Sequence, residues 1–226
     1  MNALVQIIVF CLLFQGLGGN AGMGGKAGVG GGPPPVGCSA VSDNFTRADN
    51  DSMGANWSNG SSGYNSTGIT SNMAGARTNN GSQEASRWTG GTVVTNDVCS
   101  KATFSSVAAS SLFVAVLSST TNFRLYGGGY DNGIYLHSDK LYRLYHFENP
   151  CCGGNNVEQL CAGPDTATAG DIVEIDAKGT TITLKVNGAT ECSQTETTFT
   201  ANRVPGIQLY GSGNTGYLSL WYGGDI

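Results

Sequence analysis

The sequence predicts an all-β protein built as an antiparallel sandwich or barrel, and three observations support this. The chain has 35 glycines in 226 residues and only 12% charged residues, whereas helical proteins are rich in Ala, Leu, Glu, Lys and Arg. It also has 8 Phe, 9 Tyr and 3 Trp, which supply large apolar side chains for a core. From Ser42 onward, short apolar or alternating segments are separated by turn residues, a spacing typical of antiparallel sandwiches.

The strand candidates follow one another at short intervals, and no helix longer than a turn or two and no internal repeat is evident. Residues 112–118 form a nearly continuous apolar segment, which is typical of a strand buried on both faces. Asn187-Gly188 directly follows another candidate and predicts a tight hairpin turn. The remaining segments that predict strands are residues 122–127, 133–137, 141–148, 172–177, 181–186, 206–210 and 217–222.

Residues 1–21 are predicted to be a secretory signal peptide or an apolar N-terminal arm. The apolar stretch at residues 3–14 is as long as a signal-peptide core and shorter than the roughly 20 residues that span a bilayer. No Lys or Arg precedes Lys26, which leaves open an uncleaved arm that docks on a neighbouring subunit. Residues 22–41, rich in Gly and Pro, predict a linker. The domain itself is expected at residues 42–226.

The cysteines indicate an oxidising compartment. The chain has 7 Cys, and removal of Cys11 with a signal peptide would leave an even number, which predicts up to three disulfides in a secreted protein. No two cysteines have C-x-x-C spacing, so disulfides are favoured over a zinc site. The expected location is extracellular or surface-exposed, with a virion or filament as the alternative. The disulfide candidates are Cys38, Cys99, Cys151, Cys152, Cys161 and Cys192.

Two stretches resemble a known family. Residues 43–49 read DNFTRAD and lead to MGANW at residues 53–57, while GDIVEI at residues 170–175 is followed by Gly179 and by residues 182–188. They resemble the opening and the hairpin of concanavalin A-like, or laminin-G-like, jelly-roll domains of bacterial and phage surface proteins. Over residues 42–226, the resemblance implies a two-sheet antiparallel jelly-roll sandwich whose first and last strands are adjacent. Here the sandwich would follow a Gly-rich N-terminal extension.

Aromatic residues crowd between positions 123 and 147 and suggest a sugar-binding groove. Ligand sites are usually concave surfaces that combine apolar rings with polar groups. Strand alternation puts Arg124 and Tyr126 on one face of a strand, and Tyr142 and His146 on one face of another. Half of these aromatics are expected in the core. The ligand-binding candidates are Arg124, Tyr126, Tyr135, Tyr142 and His146.

Glu174-Ile175-Asp176 is the most enzyme-like feature. Glucanases of the family that the chain resembles use an E-x-D-x-x-E strand, but Gly179 stands at the position of the second glutamate. A retaining mechanism needs two carboxyl groups about 5–5.5 Å apart, and this strand lacks the pair. The prediction is therefore that the protein is not an enzyme and has no catalytic residues.

Calcium is the one cofactor that the sequence suggests. Asp43 and Asp225 offer the hard oxygen ligands that Ca²⁺ prefers, and they would be near one another if the terminal strands pair. Nucleic acid is not expected as a partner, because 11 Lys and Arg face 16 Asp and Glu.

These observations favour a non-catalytic surface or extracellular module that binds or adheres to carbohydrate or a glycosylated surface. The alternative is a structural subunit of a virion or extracellular filament, docked through its N-terminal arm to copies of itself or to other subunits. A lesser alternative is a glycan-cleaving enzyme of the same fold.

Overall fold

The computed structural model describes residues 38–59, 67–76, 83–91, 93–107, 111–118, 124–133, 135–148, 157–210 and 216–226. All regular structure in these ranges is β-strand. No helix there has the length and apolarity needed to cross a membrane. The signal peptide or arm, most of the linker, and Cys151 and Cys152 lie outside the described residues.

The described ranges contain fifteen strands, most of them short. They are β1 (Val41–Asp43), β2 (Trp57–Asn59), β3 (Thr67–Thr70), β4 (Met73–Ala76), β5 (Gln83–Trp88), β6 (Val98–Ser106), β7 (Ser111–Ser118), β8 (Arg124–Tyr130), β9 (Leu141–Glu148), β10 (Val157–Thr166), β11 (Ile172–Lys178), β12 (Thr181–Val186), β13 (Ala189–Thr195), β14 (Arg203–Tyr210) and β15 (Tyr217–Asp225).

The strands form two antiparallel sheets that pack face to face. The eight-stranded sheet has the order β13-β12-β11-β6-β15-β4-β3, with β1 also paired to β15. The seven-stranded sheet has the order β10-β9-β8-β7-β14-β5-β2. The first and last strands are adjacent, with Val41 opposite Gly223. This confirms the predicted all-β, two-sheet jelly-roll sandwich.

The main core lies between the sheets and follows the strand alternation. On β11, Val173, Ile175 and Ala177 are buried, while Ile172 points outward and is 44% exposed. Strand β7 is buried on both faces, as its continuous apolar sequence predicted. Leu112 and alternate residues after it join the main core, whereas a second apolar cluster covers the other face of the seven-stranded sheet with Ala85, Phe113, Ala115, Leu117, Leu125, Tyr145 and Phe147.

All three tryptophans of the chain meet between the two sheets. Trp57 and Trp88 belong to the seven-stranded sheet and Trp221 to the eight-stranded sheet. The Trp221 ring centroid lies 4.6 Å from that of Trp57 and 5.3 Å from that of Trp88. The Trp221 indole N–H donates to Ser100 Oγ at 2.8 Å, and this hydroxyl donates to the carbonyl of Gly206 on the opposite sheet at 2.7 Å. A hydrogen-bonded chain therefore crosses the core.

The opening motif forms a hydrogen-bonded cluster around the Asp43 carboxylate. It accepts two hydrogen bonds from the Arg47 guanidinium at 2.8 Å each, one from the Phe45 N–H at 2.8 Å and one from the Trp57 indole at 2.7 Å. Burial alone would raise the pKa of Asp43, but these donors lower it below its ordinary value. Phe45 has a φ of 56° and is fully buried. The motif thus pins the first strand to the tryptophans.

Two of the predicted disulfides form among the described cysteines. Cys38–Cys99 closes a separation of 61 residues and Cys161–Cys192 one of 31. The second joins β10 to β13, which are edge strands of opposite sheets. Loops of these lengths make each disulfide worth roughly 4 kcal/mol in the chain-entropy account.

The turns agree with the sequence at one place and differ at another. Asn187 and Gly188 have positive φ angles of 51° and 84°, which confirms the hairpin between β12 and β13. Residues 133–137 were predicted as a strand, but the described residues of this segment, 133 and 135–137, are not in a strand. The buried Asp131 carboxylate accepts the N–H groups of Leu136 and His137 at 2.7 and 2.9 Å, and so bends the segment into a loop.

We expect Ser100→Ala to lower the free energy of unfolding by about 1–3 kcal/mol, because it leaves the buried Trp221 indole N–H without an acceptor. Ser105→Ala is the matched control, since Ser105 lies on the same strand and its buried hydroxyl has no partner in the described structure. This control should cost less than about 0.5 kcal/mol. Urea unfolding of both variants measures the difference, and equal losses would contradict a role for the hydrogen-bonded chain.

Candidate functional site

Strands β8 and β9 bring three of the five predicted ligand residues to one end of the sandwich. Their pairing puts Tyr126 opposite His146, and Arg124 opposite Glu148. Tyr142 lies opposite Tyr130, toward the other end of the same strands. The sequence-predicted set is therefore split between two ends of the seven-stranded sheet and the loop that joins β8 to β9.

Tyr126 and Tyr142 were expected among the ligand-binding residues, but their rings are fully buried and not open to a ligand. The alternation that groups these residues is as predicted, but the shared face is the one between the sheets. The Tyr142 hydroxyl donates to Asp171 Oδ2 at 2.8 Å. Burial, followed by Asp171, raises the pKa of Tyr142. Burial likewise raises the pKa of Tyr126 to about 12. Both tyrosines are core residues.

Tyr135 lies apart from the other candidates, on the outward face of the seven-stranded sheet. Its ring centroid is 5.9 Å from that of Phe113 and 5.1 Å from that of Phe147. Its hydroxyl accepts a hydrogen bond from Gln208 Nε2 at 3.1 Å. The half-buried ring packs against the second apolar cluster.

An open cleft of about 460 Å³ lies beside the first residue of β8 and the connection from β13 to β14. Hydroxyl, amide and backbone groups dominate its lining, and Arg124 is the one charged residue among the described residues that line it. These residues are Ser118, Arg124, Thr197, Thr198, Phe199, Thr200, Ala201 and Asn202.

The wall of the cleft begins at Glu196, whose carboxylate organises the start of the β13–β14 loop. Its Oε1 atom accepts the Thr197 N–H at 2.6 Å, the Thr198 N–H at 2.8 Å and the Thr198 hydroxyl at 2.6 Å. These donors hold the pKa of Glu196 below its ordinary value although burial opposes them. The carboxylate thus fixes two of the threonines that line the cleft.

Residues that pack beneath and beside the loop hold its second half. The Arg203 guanidinium donates to the Phe199 carbonyl at 2.9 and 3.2 Å and to the Asn96 carbonyl at 3.3 Å. The Asn96 side chain accepts the Asn202 N–H at 2.8 Å. The Phe199 ring stacks on Tyr126 with centroids 4.3 Å apart and planes 8° from parallel. These contacts fix the cleft wall from behind and leave Thr200, Ala201 and Asn202 exposed.

The loop residues that line the cleft were missed by sequence reasoning. Residues 197–202 read TTFTAN, which has neither strand alternation nor a recognised motif. The signal that could have found them is a cluster of hydroxyl residues between two strands. Only Arg124 belongs both to the predicted set and to the cleft lining.

Arg124 is held loosely. Its Nη2 atom lies 3.5 Å from Glu148 Oε1, and the two side chains are 46% and 42% exposed. Exposed ion pairs of this kind contribute about 0–1 kcal/mol. The guanidinium therefore remains accessible at the mouth of the cleft.

His146 lies behind the cleft wall and is buried. Its ring centroid is 5.3 Å from that of Tyr126, and its Nδ1 atom is 4.0 Å from Glu196 Oε2. Its Nε2 atom has no hydrogen-bond partner in the described structure. Burial lowers the pKa of His146, although Glu196, Glu148 and Glu158 oppose this shift. The imidazole is thus disposed to stay neutral.

The Glu174 and Asp176 carboxylates lie elsewhere, on the outward face of the eight-stranded sheet. Lys185 contacts both of them, at 3.1 Å for Glu174, and Lys101 lies 3.6 Å from Glu174. Burial, followed by the like charge of Glu174, raises the pKa of Asp176, although Lys185 opposes the shift. The lysines make this a compensated charge network.

Asp43 and Asp225 do not come together, so this part of the calcium prediction is wrong. The terminal strands do pair, but their register places Asp43 opposite Trp221. Asp225 is four positions further along β15, roughly 13 Å away at strand spacing. Its carboxylate accepts the N–H groups of Val94 and Thr95 at 3.0 and 2.9 Å. The described residues hold no group of three or more His, Cys, Asp or Glu side chains arranged for a metal.

Solved structures of other proteins have a similar architecture. One is the carbohydrate recognition domain of Emp47p, with a TM-score of 0.51, 9% identity and coverage of 81% of this chain and 94% of that one. The shared fold is the two-sheet antiparallel jelly roll described above. A second similar jelly roll comes from work on endo-acting O-glycanases that human gut bacteria express to initiate mucin breakdown, with a TM-score of 0.52, 8% identity and coverage of 83% and 99%.

The sequence itself has no comparable match. No protein-family model matches it, and no curated protein is significantly similar to it. At identities of 8–9%, likeness to the two jelly rolls shows the fold alone. The function must therefore be argued from the cleft.

The buried imidazole predicts a loss of stability in mild acid. Because the pKa of His146 is lower in the folded protein, the unfolded chain binds more protons as the pH falls below about 6.5. The free energy of unfolding should then fall by up to about 1.4 kcal/mol per pH unit until the folded-state pKa is reached. Urea unfolding between pH 7.5 and 5 measures this slope.

His146→Gln should flatten this part of the pH profile, whereas His137→Gln, a change in the other histidine of the chain, should preserve the slope that His146 generates. An unchanged slope in His146→Gln would show that carboxylates alone determine the acid dependence.

Proposed function

We propose that this protein is a carbohydrate-binding module that acts without cleaving its ligand, and that the cleft beside Arg124 is its binding site. The observation that carries this proposal is the cleft wall of hydroxyl and amide groups, held in place by hydrogen bonds with Glu196, Asn96 and Arg203. Sugars present many hydroxyl groups, which such a wall recognises through hydrogen bonds.

The geometry of the cleft suits a small rigid ligand. Its volume of about 460 Å³ lies within the roughly 300–1,000 Å³ range of small-molecule sites. Glu196 and Arg203 hold the loop from both ends, so little conformational entropy is lost when a ligand binds. Preorganisation of this kind improves affinity without adding contacts.

The cleft lining also supports binding without catalysis. No carboxylate is among its described lining residues, whereas glycoside hydrolysis by the usual route needs two. Glu174 and Asp176 are engaged with Lys185 on the outward face of the other sheet. One similar structure is a carbohydrate recognition domain and the other comes from work on O-glycanases, so the fold does not separate binding from cleavage. The proposal of binding without cleavage rests instead on the residues of the cleft and on the pairing of Glu174 and Asp176 with Lys185.

The disulfides support an extracellular or surface location. Disulfides persist in oxidising compartments, and Cys161–Cys192 joins the two sheets. A module on a cell or particle surface could use the cleft for adhesion to glycans. The alternative of a virion or filament subunit depends on the N-terminal arm, which lies outside the described residues and stays a prediction.

Removing two exposed hydroxyls from the cleft should weaken glycan binding without affecting folding. Ligands would first be found with a glycan array, with and without calcium, and their affinities measured by calorimetry. Thr197→Ala with Thr200→Ala should weaken binding about 10- to 30-fold, since each lost hydrogen bond contributes about 1 kcal/mol. Unfolding curves would check that stability is unchanged.

The matched control is Thr181→Ala with Thr190→Ala, which removes two exposed hydroxyls from β12 and β13, outside the cleft lining. This control should retain wild-type affinity. Binding that survives the cleft variant would place the site elsewhere. No binding to any glycan, with or without calcium, would refute the proposed function, and release of reducing sugars would refute its non-catalytic character.

A further inference from the structure

We infer that the cleft selects acidic sugars and that Arg124 receives the carboxylate of a uronic-acid type residue. This inference rests on the proposed function and specifies its ligand class. It starts from the distribution of charge in the lining, where one guanidinium stands among seven uncharged residues. A complementary ligand carries several hydroxyls and a single negative group.

The guanidinium is available for such a group. Among the described residues, its ion pair is a 3.5 Å approach to Glu148 between half-exposed side chains, so little free energy is lost when a ligand replaces or shares it. Arginine has five N–H donors arranged as a planar fork, which matches a carboxylate through two parallel hydrogen bonds. One weak contact to Glu148 leaves most of this donor capacity open to a ligand.

The remaining charges near the cleft favour one negative group over many. Glu196 faces inward, where its Oε1 atom accepts three hydrogen bonds from Thr197 and Thr198, and His146 is disposed to stay neutral. The chain has a net charge of −5, which repels dense polyanions over long range. A sugar with one carboxylate among neutral hydroxyls fits these conditions better than a heavily sulfated polymer.

The test compares a neutral-sugar trisaccharide that carries one glucuronic-acid residue with the same trisaccharide after its carboxyl group is reduced to an alcohol. Calorimetry should show at least tenfold tighter binding of the acidic form to the wild-type protein. Dextran sulfate and dextran form a second pair, which distinguishes a carboxylate from a sulfate as the negative group. We expect weak binding to both dextrans.

Three variants report on the guanidinium. Arg124→Gln should remove the preference for the acidic trisaccharide, and Arg124→Lys, which keeps the charge but loses the fork, should retain only part of it. Glu148→Gln should strengthen binding of the acidic trisaccharide severalfold, because it removes the competing carboxylate. A purely structural Arg124–Glu148 pair would instead make Glu148→Gln weaken binding.

The outcomes separate this inference from the proposed function. Equal affinity for the acidic and reduced trisaccharides, or a preference that survives Arg124→Gln, would overturn the inference. If neutral glycans bind and Thr197→Ala with Thr200→Ala weakens them, the proposed function stands while the acidic ligand class is wrong. Tighter binding of dextran sulfate than of the glucuronic-acid trisaccharide would replace the carboxylate with a sulfate and also overturn the inference.

Discussion

The packing of three tryptophans between two sheets is the constraint on which the rest of the sandwich depends. Trp221 contributes the eight-stranded side, and Trp57 and Trp88 the seven-stranded side. These three rings lie within the main core, where they join the seven-stranded sheet to the eight-stranded sheet. The Asp43 carboxylate then orients Trp57 from the first strand, which couples the start of the chain to its end.

The cleft is built by the same core and is therefore more than a surface loop. Tyr126 is a core ring, yet its hydroxyl accepts the Phe199 N–H at 3.4 Å and its face supports the Phe199 ring. Arg203 is buried with its guanidinium directed at loop carbonyls. Connections between strands are usually more mobile than the strands themselves, but these contacts with core residues hold the β13–β14 connection in place. The exposed hydroxyls are on the side of the loop that the core leaves free.

The sequence predicted correctly those elements whose conformation depends on residues close together in the chain. The apolar run of β7 and the Asn187-Gly188 turn each depend on neighbouring residues, as does the opening motif around Asp43. Alternation also grouped Tyr142 with His146, but it could not tell which face meets the other sheet, because the seven-stranded sheet has apolar residues on both faces. The loop wall escaped prediction for a different reason: Asn96 contacts Asn202 and Arg203 across separations of 106 and 107 residues, which no local pattern records.

Several of the few charged residues have structural roles. Asp43 pairs with Arg47, and Lys185 pairs with Glu174 and Asp176. Arg143 is likewise held by Asp139, and Arg203 is buried against loop carbonyls. Arg124 differs from these, because its ion pair with Glu148 is long and both side chains are exposed. Such a pair contributes little to stability, which leaves the guanidinium available to the acidic ligand that we propose for the cleft.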